Sequence, residues 1–168
     1  MKTLIATILL SLVCLTSQGQ IKTNLWGLKL GESTEEQIIN AMKNNRFKYD
    51  RTPDGFIISR PVLYGGERWN LATIHLFNGK LFAVVFVMNS QSNNYNTFLD
   101  LGDVLLEKYN QYENDFDVND NEIYIQFVDE NYISIKLCYD KKDNIVRLLY
   151  SDIYLVEQFR QQQRDRDL

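Results

Sequence analysis

The hydrophobic residues of this chain recur with two periods, and the changes from one to the other mark its elements. From Ser33 to Asn45, Ile38, Ile39, Ala41 and Met42 form one stripe at helical spacing. Ser33-Thr34-Glu35-Glu36 opens that stretch as a capping box, with the serine hydroxyl accepting from the backbone of Glu36 and the carboxylate reaching back. Thr52-Pro53-Asp54-Gly55 is a turn by composition. Strands are then expected at Phe56–Arg60, Trp69–Phe77 and Lys80–Met88. The last two are joined by Asn78-Gly79, a strong signal for a two-residue hairpin. A type I′ turn there pairs Phe77 with Lys80. Counting from that pair puts Ala72, Ile74, Leu76, Leu81, Ala83, Val85 and Val87 on one face. Trp69, Leu71, Thr73, His75, Phe77, Phe82, Val84, Phe86 and Met88 fall on the other.

A second helical stripe, Phe98, Leu101, Leu105 and Tyr109, predicts a helix over Tyr95–Tyr109. Strands follow near Glu122–Val128, Tyr132–Asp140 and Ile145–Ser151. A three-residue loop Asp129-Glu130-Asn131, with Asn131 left-handed, and a four-residue loop from Lys141 to Asn144 bring the apolar positions of these strands to one face. That face carries Ile123, Ile125, Phe127, Ile133, Ile135, Leu137, Tyr139, Val146, Leu148 and Tyr150. Tyr124, Gln126, Tyr132, Ser134, Lys136, Cys138 and Arg147 take the other. The two helix starts are about 62 residues apart, and so are the last hairpin turns, which suggests a repeated unit. The expected fold class is α+β. Tandem helix-plus-antiparallel-strand units, approximately 25–90 and 91–152, form one curved sheet with the helices on one face. A polar C-terminal helix, 153–168, follows.

The first residues change where such a domain is expected to work. Lys2 precedes an apolar run from Leu4 to Leu15, and small residues at Ser17 and Gly19 precede Gln20. This pattern is that of a secretory signal over residues 1–19, leaving a single domain, 20–168, in the periplasm or outside the cell. The alternative is acylation at Cys14, which tethers the protein to the envelope. Without the signal the chain has 17 basic and 22 acidic residues. That balance argues against nucleic acid and anionic membrane surfaces as partners. Only Cys138 remains, so no disulfide can close within the domain and stability rests on the core.

Candidate chemistry is sparse. His75 is the sole histidine, and no nucleophile elbow accompanies it. No catalytic residue, metal site or cofactor is expected. The run from Asp115 through Asp117 and Asn119 matches the first positions of a calcium loop. Asp120 stands where glycine is needed and Gln126 where a bidentate glutamate is needed, so an edge strand with solvated acids is the better reading. Tyr64-Gly65-Gly66 leads into a strand, so it offers no phosphate-binding helix terminus and reads as a wide turn. The distinctive feature is the second face of the first hairpin, where a solvated sheet carries polar residues and this one carries aromatic ones. Trp69, His75, Phe82 and Phe86 are the candidate binding residues, as anchors of a protein interface. The competing reading is a second small core beneath the Tyr64 loop or the C-terminal helix.

Leu25-Trp26-Gly27-Leu28-Lys29-Leu30-Gly31 before a capped helix, Tyr64-Gly65-Gly66 before Trp69, and the Asp/Arg/Gln-rich tail resemble small secreted proteins of Bacteroides-type bacteria. Those are similar to the β-lactamase inhibitor protein-like fold. The resemblance implies tandem helix-plus-sheet units and no catalytic residues. The founding inhibitors carry disulfides that this chain cannot form internally, so the resemblance implies the architecture and not inhibition of a β-lactamase. The expected function is therefore a non-enzymatic, protein-binding module with an envelope or extracellular protein as partner. The alternatives are a structural envelope-assembly component and, third, a hydrolase.

Overall fold

The computed structural model describes residues 21, 25–89 and 94–167. The expected secretory signal, the expected cut before Gln20 and Cys14 lie outside the described residues. The elements run α1 (Glu35–Asn44), β1 (Asp50–Thr52), β2 (Gly55–Ile58), β3 (Val62–Tyr64), β4 (Glu67–Trp69), β5 (Leu71–Phe77) and β6 (Lys80–Met88). Then come α2 (Asn94–Tyr109), β7 (Glu113–Val118), β8 (Glu122–Val128), β9 (Ile133–Asp140), β10 (Ile145–Asp152) and α3 (Ile153–Asp167). Eight strands form one antiparallel sheet in the order β1-β2-β5-β6-β10-β9-β8-β7, and β3-β4 is a separate hairpin. The fold is α+β. Each half is a helix followed by four strands of the sheet, with β3-β4 inserted in the first half, and β6 pairs with β10 where the halves meet.

Side chains from α1 (Ile38, Met42) and α2 (Phe98, Leu105, Tyr109) enter one core with the inner sheet face. The hairpin β3-β4 closes that core through Val62 and Trp69. Fully burying a side chain of the size of Phe86 or Ile74 contributes about 1.5–3 kcal/mol. Among the described residues the one cysteine, Cys138, is free, so the described fold rests on this core and not on a disulfide. α3 lies on the opposite face, where Leu155, Val156 and Phe159 pack on Phe77, Phe82 and Ala83. Among the described residues no helix is long and apolar enough to cross a membrane.

The cap of α1 sits one residue later than the sequence pattern suggests. Thr34 is the N-cap, and its hydroxyl and the Gln37 side chain exchange hydrogen bonds with each other's backbone N–H groups. The Ser33 hydroxyl is already engaged, accepting from Lys29 N–H at 2.9 Å. The turn at Asn78-Gly79 is as expected, with φ of 50° and 75° and Phe77 opposite Lys80. Gly65 and Gly66 (φ 62° and 86°) make a second tight turn of this kind, so the expected wide turn is a two-residue hairpin. In the second half the face assignment holds while the register between β8 and β9 moves by two residues. Phe127 pairs with Ile135, and the left-handed residue of the loop is Tyr132 (φ 61°), not Asn131. The Asp129 carboxylate organises that loop, accepting from the N–H groups of Asn131, Ile133 and Ile21.

Parity in the first hairpin does not hold along its whole length. The β5–β6 register shifts between His75 and Leu76: Leu76 pairs with Leu81, and His75 pairs with Ala83. Phe82 is the extra residue of a β-bulge, and a bulge turns every later side chain of its strand to the other face. Val84, Phe86 and Met88 therefore point into the core, and Ala83, Val85 and Val87 turn outward, the reverse of the expected assignment.

Candidate functional site

The outer sheet face is the place to look for a site, and the bulge decides which residues occupy it. Two of the four expected anchors are not there. Phe86 is fully buried in the main core, its ring stacked on Tyr64 at 4.3 Å between centroids. Trp69 is also fully buried, and its indole N–H donates to the Tyr64 carbonyl at 3.0 Å. Trp69 ends β4 and pairs with Val62, so it belongs to the separate hairpin and not to the strand that carries His75. Both are corrected from surface anchors to core residues.

The other two anchors are on the outer face, beside or beneath α3. Phe82 is buried beneath α3, its ring 5.1 Å from that of Phe159 and 6.0 Å from the His75 imidazole. It too is corrected from a surface anchor to a core residue, in the small core under the C-terminal helix that the competing reading expects. His75 is half-buried, and its Nε2 and the Thr73 hydroxyl are in hydrogen-bond contact at 2.9 Å. Burial pushes its pKa below the usual histidine value, and the Asp54 carboxylate opposes that shift. Its cross-strand neighbours are small, Gly55 on one side and Ala83 on the other. A side chain at Gly55 cannot be accommodated, because a Cβ there would stand 1.9 Å from the Ile74 carbonyl oxygen at φ 148°.

Beyond α3, the first half of the face is aliphatic. In register across it run Ile57, Thr73, Val85 and Leu149, and in the next row Leu71, Val87 and Arg147. Ile57, Leu71, Val85 and Val87 are half-buried and belong to neither core cluster among the described residues. Sequence reasoning found the apolar character of this face but named the wrong side chains on β6. No signal could have corrected it: Leu81 to Met88 is apolar at every position, so no polar residue marks the change of face.

The second half of the face is polar and internally paired. Lys136 stands 3.7 Å from the Tyr124 ring centre and 3.9 Å from the Glu122 carboxylate. Arg147 contacts Asp140 at 3.3 Å. The Asp140 pKa lies below the usual value, held there first by the Asp143 backbone N–H and then by Arg147. Cys138 is buried among them, and burial pushes its thiol up to about 12, so it is a thiol at neutral pH and a poor nucleophile. Among the described residues no three of His, Cys, Asp and Glu converge as metal ligands. Away from this face, a cleft of about 450 Å³ beside α1 is lined by Trp26, Lys29, Ser33, Gln37 and Asn40, and none of the expected site residues lines it.

Compared with family models, curated proteins and solved structures, the chain matches none.

Proposed function

We propose that this chain is an exported, non-enzymatic binding module that docks a protein through the outer sheet face between α3 and the β1 edge. The observation that carries this reading is the aliphatic strip Ile57, Leu71, Val85 and Val87, in register across β2, β5 and β6. A solvated sheet face ordinarily alternates polar residues outward. The neighbouring half of this same face does so, with Gln126, Ser134, Lys136 and Arg147. Thr73 lies within the strip, between Ile57 and Val85, while His75 and Arg147 border it and supply hydrogen-bonding groups at its rim. Export is supported by the order of charge, apolar run and small residues in the first 19 positions. The tandem units are in keeping with a relationship to the secreted β-lactamase inhibitor protein-like proteins, which we also propose.

The test is a pair of charge substitutions, Val85→Lys and Val87→Lys, compared with Val104→Lys at an exposed position of α2. All three proteins are expected to fold, and the first two to lose envelope or extracellular partners that the wild type and Val104→Lys retain. Equal retention by all three would contradict the proposed docking face.

A further inference from the structure

A second surface has a different chemistry. β7 is an edge strand of the sheet, and all six of its residues are exposed. Among the described residues no strand pairs with its outer backbone edge. Asn119, just past the strand, donates its N–H inward to the Glu122 carbonyl at 3.0 Å. Backbone groups alternate in direction along an antiparallel ladder, so those of Asn114, Phe116 and Val118 point away from β8. The side chains alternate too. Phe116 and Val118 stand opposite Ile125 and Ile123 on the core side of the sheet, 62 % and 52 % exposed. Val118, Ile123 and Tyr139 lie in one row, and the Tyr95 ring of α2 rests on Tyr139 at 5.3 Å. The apolar floor thus continues from the helix out to the edge. On the other side of the strand stand Glu113, Asp115 and Asp117, opposite Val128, Gln126 and Tyr124. None of the three takes part in an ion pair among the described residues.

We propose that β7 receives an extended segment of a partner protein as a ninth strand, one whose residues alternate between basic and apolar. Main-chain hydrogen bonds to an open edge supply affinity, and alternate side chains supply specificity. The apolar residues of the segment lie beside Phe116 and Val118, and its basic residues oppose Glu113, Asp115 and Asp117. A second copy of this chain is the wrong occupant. Antiparallel pairing of β7 with itself sets carboxylates against carboxylates, and like charges directly opposite are destabilising. The acids that keep the edge from pairing with itself select a cationic strand. This site is independent of the aliphatic face described above.

The experiment titrates the full chain with an eight-residue peptide alternating Lys with Val or Ile, followed by fluorescence anisotropy and by backbone amide NMR. Controls are a scrambled peptide of the same composition and a Glu/Val peptide of the same pattern. The expected result is binding that perturbs the amides of Glu113–Val118 and weakens about tenfold or more on scrambling. Asn114→Pro removes one outward N–H and leaves the ladder to β8 in place, and weakens binding to a similar extent. Asp115→Lys/Asp117→Lys transfers the preference to the Glu/Val peptide. Should Asn114→Pro not fold, the scrambled peptide and the charge-reversed variant decide the matter. Equal binding of patterned and scrambled peptides, or amide changes confined to other strands, overturns the proposal.

Discussion

Truncating Phe86 to alanine tests the bulge, on which the placement of the whole outer face depends. The Phe86 side chain is 0 % exposed, and its ring meets those of Tyr64 at 4.3 Å, Trp26 at 5.6 Å and Trp69 at 5.7 Å. Removing a buried phenylalanine ring costs about 3–5 kcal/mol, the lost transfer energy plus the cavity left behind. For a domain of this size each kcal/mol lowers Tm by about 2–4 °C, so a fall of about 6–20 °C is expected. Val85 is one residue away and faces outward beside Thr73 and Leu149. Val85→Lys keeps its ammonium in water and costs about 1 kcal/mol or less. Urea unfolding followed by circular dichroism measures both, provided m is unchanged between variants. A hairpin without the bulge demands the opposite order. If Val85→Lys unfolds the protein while Phe86→Ala stays within about 1 kcal/mol of wild type, the assignment of faces is wrong.

Further outcomes follow from single contacts. Asp129→Ala leaves the N–H groups of Ile21, Asn131 and Ile133 without their carboxylate, and lowers stability by roughly 1–3 kcal/mol in the same urea assay. His75 has a folded pKa below its unfolded value, so the unfolded chain binds the proton more readily. Its contribution is complete above the unfolded value of about 6.5 and is lost as pH falls from there through the folded pKa. Melting from pH 8 to pH 5 therefore shows a shallower acid loss for His75→Gln than for wild type. Cys138, its thiol pushed up to about 12, stays unreactive to a water-soluble disulfide reagent at pH 7.4 and reacts once urea unfolds the chain. Rapid labelling of the native protein would refute that placement.

Much of the fold is legible in the sequence because its punctuation is local. Asn78-Gly79 and the span Lys141 to Asn144 produce the turns they encode, with Asn78 and Asn144 both at positive φ. The Ile123, Ile125, Phe127 pattern reports its face correctly even though the register to β9 differs by two, because a shift of two preserves parity. What stays hidden is non-local. The bulge at Phe82 depends on how β5 and β6 settle against each other, within a segment that has no polar residue to record it. The break that assigns Trp69 to a separate hairpin falls at Asn70, a residue depleted in strands and favoured in turns, and reading Trp69–Phe77 as one strand passes over that signal. The covering of Phe77 and Phe82 by Phe159 is the small core beneath the C-terminal helix that the sequence allows as a competing reading, and what decides between the two readings is contact between residues far apart in the chain. Of the four expected anchors only His75 is half-exposed on the outer face; Phe82 is sealed there beneath α3, and Trp69 and Phe86 lie in the main core. The side chains that replace them there, Val85 and Val87, become visible only once the bulge is known.

Photo-crosslinking tests the proposed docking face most directly. A benzophenone side chain is placed at position 85 or 87 on the aliphatic strip, and at position 63 or 104, where Leu63 and Val104 are exposed elsewhere on the surface. A discrete protein adduct is expected from 85 and 87 that excess unlabelled wild type competes away, and none from 63 or 104. Adducts that are identical at all four positions, or absent at 85 and 87 alone, contradict it.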